Sequence, residues 1–179
     1  MKTLAALVVF ISLPALAQPR STATLDRLCG GYEHAPSAAE VRALGPGADQ
    51  ALIDYATAAS TSPLRRQRAI AALAFVPSVA AHQLLVAVLS AEGRASRGIA
   101  VLDVAAALSA LTPYGAPALA TVLPYLTHPS ADVRQAAANT LGALGLPSAG
   151  GALEARLAVE RDPSVRVHLA AALARLRAR

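Results

Sequence analysis

The stretch from Val133 to Leu144, VRQAAANTLGAL, returns 32 residues later as VRVHLAAALARL, Val165 to Leu176. A recurring helix-sized segment restricts the fold more than any composition value does. A unit that cannot bury its apolar stripe alone must stack on copies of itself. The paired positions Leu141/Leu144 recur as Leu73/Val76, Leu108/Leu111 and Leu173/Leu176, so the first members step by 35, 33 and 32 residues. A period in that range belongs to solenoids built from paired helices.

Within each unit the first helix is alanine-rich with large residues at helical spacing. Val133, Ala137, Leu141 and Leu144 form one stripe, and Val165, Leu169, Leu173 and Leu176 another. Alanine between the large residues lets helices approach closely and carries the highest helix propensity. A second helix follows. Leu119, Val122, Leu123 and Leu126 lie on one face of APALATVLPYL; the counterparts are Leu85, Val88 and Leu89, then Leu153 and Leu157. Ser62-Pro63 and Asp162-Pro163 place a capping side chain ahead of a proline at the first helical position. Gly145 followed by Pro147 is a stop. Residues 62–179 therefore predict three helix pairs and a closing helix. Nothing alternates at period two over a useful length, so no sheet is expected.

Residues 18–61 predict a less regular helical cap. Ser37 and Glu40 match a capping box ahead of VRAL, and ADQALIDYATAA puts Leu52, Ile53, Tyr55 and Ala56 on a mixed apolar face. Together they predict a degenerate helix pair covering the open end of the stack. GGYEHAP, residues 30–36, reads as a loop.

Residues 1–17 read as a signal peptide: Lys2, a short apolar core from Leu4 to Leu13, Pro14, then Ala15-Leu16-Ala17. The apolar run falls short of the roughly 20 residues that span a bilayer, so no stable membrane insertion is expected after cleavage. The mature chain is therefore expected to start near Gln18 and to be periplasmic or secreted. The net charge of +5 then becomes +4, because Lys2 leaves with the leader and every remaining cation is arginine. With 55% hydrophobic residues the chain is too apolar to stay unfolded. Cys29 is the only cysteine, so no internal disulfide can form. Two readings stay open for it: a small hydrophobe buried on a helix, or an intermolecular disulfide through Cys29.

At HPSADVRQAAANTLGALGLPSAGGALEARLAVERDPSVRVHLAAALARL the sequence resembles the HEAT-like repeat family, of the PBS-lyase type. Asp162, Pro163, Val165, Arg166, Ala171, Ala172, Leu173 and Leu176 match its first-helix pattern; Val133, Arg134, Ala137, Ala138, Leu141, Leu144 and Gly145 match one unit earlier. The resemblance implies an all-α, right-handed α-α superhelix, a HEAT-like solenoid of about three helix pairs plus capping helices. It also implies a structural role for Arg66, Arg134 and Arg166, which share one slot, and for Asp162. The second unit departs from it, with Val101 in the slot and Asp103 inside the helix. That substitution predicts a break in the ladder of polar contacts.

Catalytic signatures do not emerge. His34, His82, His128 and His168 are scattered, Glu33-His34 reverses the His-Glu order of iron-holding relatives, and Cys29 lies five residues from His34 without a further partner. No metal or other cofactor is expected, and no enzymatic activity. The clusters Arg65/Arg66/Arg68 and Arg175/Arg177/Arg179 are too small for a nucleic-acid stripe, and tryptophan is absent. The expectation is an exported scaffold that binds a protein partner through a concave second-helix face. Its candidate contacts are His82, Gln83, Thr121, Tyr125, Glu154 and Arg156, with Tyr125 as the aromatic anchor and Tyr114 as turn packing. The alternatives are an enzyme or enzyme subunit of the HEAT-like lyase or hydroxylase type, and a structural envelope component.

Overall fold

The structure, a computed structural model, describes residues 22–31 and 35–178. The expected leader, Glu33, His34 and Arg179 lie outside the described residues. Among the described residues ten α-helices follow in order: α1 Thr22–Gly30, α2 Ala38–Ala43, α3 Ala48–Thr57, α4 Pro63–Ala72, α5 Val79–Glu92, α6 Ile99–Ala110, α7 Ala116–Val122, α8 Ala131–Leu144, α9 Gly150–Val159 and α10 Pro163–Arg177. No strand occurs among the described residues, and no helix among them is long and apolar enough to cross a membrane.

The first helices α4, α6, α8 and α10 pack one on the next. Their stripes are the core: Ile70, Leu73, Leu108, Leu111, Val133, Leu141, Val165 and Leu169 are sealed from water. Small residues set how closely the row stacks. A Cβ on Gly142 of α8 would lie 2.8 Å from Cα and 2.9 Å from Cβ of Ala172 on α10, so this crossing requires glycine. Gly145 ends α8 in the left-handed conformation (φ 67°), which the Gly145-Leu146-Pro147 signal anticipates.

The second helices α5, α7 and α9 lie beside this row, each against the first helix that follows it. The expected second helix of unit two is not a single α-helix. Pro124 has no N–H to donate to the i−4 carbonyl, and the chain tightens into a 3-10 turn over Leu123–Thr127. Helix starts also differ in detail. Asp162 caps α10 by accepting from Ser164 N–H and Val165 N–H, and Ser78 caps α5, but Ser62 makes no side-chain cap bond.

The N-terminal part is more regular than the sequence suggests. The Ser37/Glu40 capping box forms, yet α2 is an insertion. The helix that pairs with α3 is α1, which also packs on α4 and extends the first-helix row. Arg65 on α4 donates to Asp26 (2.9 Å), Tyr55 on α3 donates to the same carboxylate (2.5 Å), and Arg68 donates to the carbonyls of Cys29 and Gly31. Cys29 is fully buried in this joint, and burial pushes its thiol up to about 11. The small-hydrophobe reading therefore describes its place; a bridge to a second chain would require α1 to open first.

Candidate functional site

Polar chemistry in this molecule concentrates at two arginine-carboxylate joints with one register. Arg134 donates from Nε and Nη2 to Glu160 (2.8 and 3.0 Å), and its Nη1 to the carbonyls of His128 and Pro129. Arg66 donates from Nη2 to Glu92 (2.5 Å). In both, the acid lies 26 residues after the arginine, at the end of the same unit's second helix. Glu160 also accepts from Arg156 (2.9 and 2.6 Å) and from the N–H groups of Arg161 and Asp162. The hydrogen bonds from Arg134, opposed by burial, hold its carboxyl at about 2.

The first joint has the opposite imbalance. Arg66 is shared by two carboxylates, since its Nε also lies 3.4 Å from Asp103 of α6. Asp103 is 1% exposed, and neither of its oxygens nor Glu92 Oε2 finds a hydrogen-bond partner among the described residues. Burial, with the neighbouring Glu92 carboxylate, pushes Asp103 up to about 6 against the pull of Arg66. A raised carboxyl in a cleft is a candidate acid or base. This one is closed off from any reactant, so it reads as a joint between units one and two. Val101 does fill the slot with a buried apolar side chain.

Between the joints the second-helix side opens. α5 and α7 hardly touch, and a groove of about 560 Å³ separates them, floored by Leu89 and Gly93 and walled by Thr121, Pro124, Tyr125 and His128. Tyr125 donates to the carbonyl of Leu89 (3.0 Å) and stacks on His128 with ring centroids 6.2 Å apart. A Cβ on Gly93 would collide with that hydroxyl, so glycine lets the tyrosine close the groove's end. Burial lowers the affinity of His128 for a proton, leaving an apolar, mostly neutral wall with Arg94 at the rim.

Residues 103–174 match the family model described as HEAT repeats. Over that stretch the chain is similar to HEAT repeats. No curated protein matches the chain, and no solved structure does. The HEAT match runs from Asp103 in α6 to Ala174 in α10, and the arginine register continues the same logic back to Arg66.

HEAT repeats form helical scaffolds, and this one distributes the expected contact residues unevenly. Thr121 and Tyr125 share the groove. His82 does not face solvent as expected: it is half-buried, its ring 4.8 Å from Tyr114, because the Tyr114 hydroxyl bonds the Ser78 backbone and seats the ring there. Gln83 is exposed, away from the groove lining. Arg156 is not available as a surface contact, since Glu160 engages it twice. Glu154 pairs with Arg177 (3.0 Å) at the chain's exposed end. The expected structural residues keep that role: Asp162 caps α10, and Arg166 donates to the carbonyls of Leu157 and Glu160. Glu92 and Glu160 are absent from the sequence expectations. Their shared offset of 26 from register arginines is the signal that finds them. Arg65, Arg66 and Arg68 are dispersed onto three different partners, so they make no basic stripe.

Proposed function

We propose that this HEAT-like repeat protein is an exported, non-catalytic scaffold that holds a segment of a protein partner on its second-helix side. The observation that carries the reading is the groove between α5 and residues 116–127, with Thr121 and Tyr125 in its wall. It is mostly apolar, with an aromatic held by its own hydroxyl and a cation at the rim, which suits a peptide side chain and its backbone. The two carboxylates whose titration is displaced are already committed: Glu160 to two arginines, and Asp103 to a closed joint. Among the described residues no three His, Cys, Asp or Glu side chains converge as metal ligands do.

The test is crosslinking capture from a periplasmic fraction with three forms of the protein. Thr121→Arg fills the groove from a half-exposed position, and Gln83→Ala changes an exposed residue outside its lining. The partner crosslinks to wild type and to Gln83→Ala and is lost with Thr121→Arg. If every protein captured by the wild type is still captured by Thr121→Arg, the groove is not the binding face.

A further inference from the structure

The connection that closes unit one differs from the two that follow it. Residues 93–98 join α5 to α6, whereas residues 128–130 and 160–162 suffice ahead of α8 and α10. Those short connections are tied down. The carbonyls of His128 and Pro129 accept from Arg134, and the carbonyl of Glu160 accepts from Arg166. The longer one carries two arginines of its own. Arg94 lines the second-helix groove and is exposed, and Arg97, in the same connection, is exposed as well. Neither has a carboxylate or carbonyl partner among the described residues, in contrast to Arg66, Arg134, Arg156 and Arg166.

No acid offsets that charge within the groove. Its described lining contains neither Asp nor Glu. Glu92, next to Gly93, is turned to Arg66, and Asp132, in the first turn of α8, stands outside the lining. Burial lowers the affinity of His128 for a proton, so the arginines carry the charge. Three hydroxyls of the lining are already committed as donors: Ser90 to the carbonyl of Val86, Thr127 to that of Pro124 and Tyr125 to that of Leu89. What the groove lacks is an anion. A recessed apolar floor under a cationic rim does not match the flat surface of a bilayer. Tyr125, its hydroxyl held at Leu89 and its ring stacked on His128, is no free platform for a nucleic-acid base either.

Taking the groove as the binding face, on which this assignment rests, we propose that the segment it holds is acidic. A short stretch of a partner protein lays an apolar side chain over Leu89 and Gly93 and sets carboxylates against Arg94 and Arg97.

Three short synthetic peptides test the proposal, alike in their apolar residues and carrying aspartates, glutamines or lysines around them. Each is titrated by fluorescence anisotropy into the full 179-residue chain at low and high salt. The aspartate peptide binds tightest, the lysine peptide does not bind, and salt weakens the complex because exposed charges are screened. Reversing both charges, Arg94→Glu with Arg97→Glu, weakens the aspartate peptide about tenfold or more and lets the lysine peptide bind, since like charges now meet in the first case and opposite charges in the second. A misfolded variant would bind neither. Thr121→Trp, which fills the groove without adding charge, abolishes binding. Equal binding of the three peptides, no binding of the aspartate peptide, or aspartate binding untouched by the reversal overturns the proposal. Phosphatidylglycerol vesicles bound as well as the peptide, or a dimer in sedimentation that the reversal abolishes, would overturn it too, by putting a membrane or a second copy at the arginines. In the crosslinking capture, a partner lost with Thr121→Arg but kept by the double reversal refutes the acidic segment alone, and a partner kept by both refutes the groove.

Discussion

Replacing Glu160 by glutamine is the sharpest probe of how this stack holds together. The carboxylate accepts two bonds from Arg134, two from Arg156 and two from backbone N–H groups, and its side chain is 2% exposed. Glutamine keeps one acceptor and turns an amide N–H₂ toward a guanidinium. Arg134, 11% exposed at its side chain, is left as a buried cation without a counter-charge. Removing one partner of a buried pair costs about 3–5 kcal/mol. The carboxyl's descent from 4.5 to about 2 corresponds independently to roughly 3 kcal/mol. For a chain of this size the loss lowers Tm by about 6–20 °C. Urea unfolding followed by circular dichroism measures it. The pH profile carries the sign. A depressed carboxyl contributes stability above its unfolded value, and that stability is lost as pH falls from about 4.5 towards 2. Wild type shows this loss, and Glu160→Gln does not show it. Arg156→Gln, on a partner 21% exposed and four residues away in sequence, costs about 1 kcal/mol or less. A Glu160→Gln cost below about 1 kcal/mol, or a pH slope that survives the substitution, would refute the reasoning.

Asp103→Asn acts in the opposite sense. A raised carboxyl contributes stability below its unfolded value and loses it as pH rises through about 6, so asparagine stabilises the protein at pH 8 by up to about 3 kcal/mol; urea midpoints at pH 5 and 8 that shift equally would contradict this. Gly142→Ala raises helix propensity yet costs about 1–3 kcal/mol, because the new methyl meets Cα and Cβ of Ala172; a stabilised variant would mean that α8 and α10 can separate freely. Cys29, fully buried and pushed up to about 11, resists iodoacetamide in the native protein and reacts once urea unfolds α1; mass spectrometry reads the difference, and rapid native alkylation would place the thiol at the surface.

The solenoid was legible because its cause is local and repeated. Leu73, Leu108, Leu141 and Leu173 sit at one register, and each is buried against its neighbours' equivalents. The caps at Ser37 and Asp162 and the stop at Gly145 depend on a few adjacent residues and were likewise readable. The helix α1 was missed because TATLDRLCG has only two buried side chains, Leu25 and Cys29; its place comes from Asp26 being held by Arg65 and Tyr55, 39 and 29 residues away.

The candidate site divides the same way. The sequence placed Thr121 and Tyr125 on one second helix, but the groove exists because Pro124 tightens that helix and α5 stands off from it, which no single helix encodes. Arg156 and His82 looked free in one dimension and are engaged in three, by Glu160 and Tyr114. Repeat length, helix pairing and the buried stripes follow from periodicity in the chain itself. Which charges meet and which carboxyl keeps its proton depend on how far apart the helices come to rest, and only packing sets that distance.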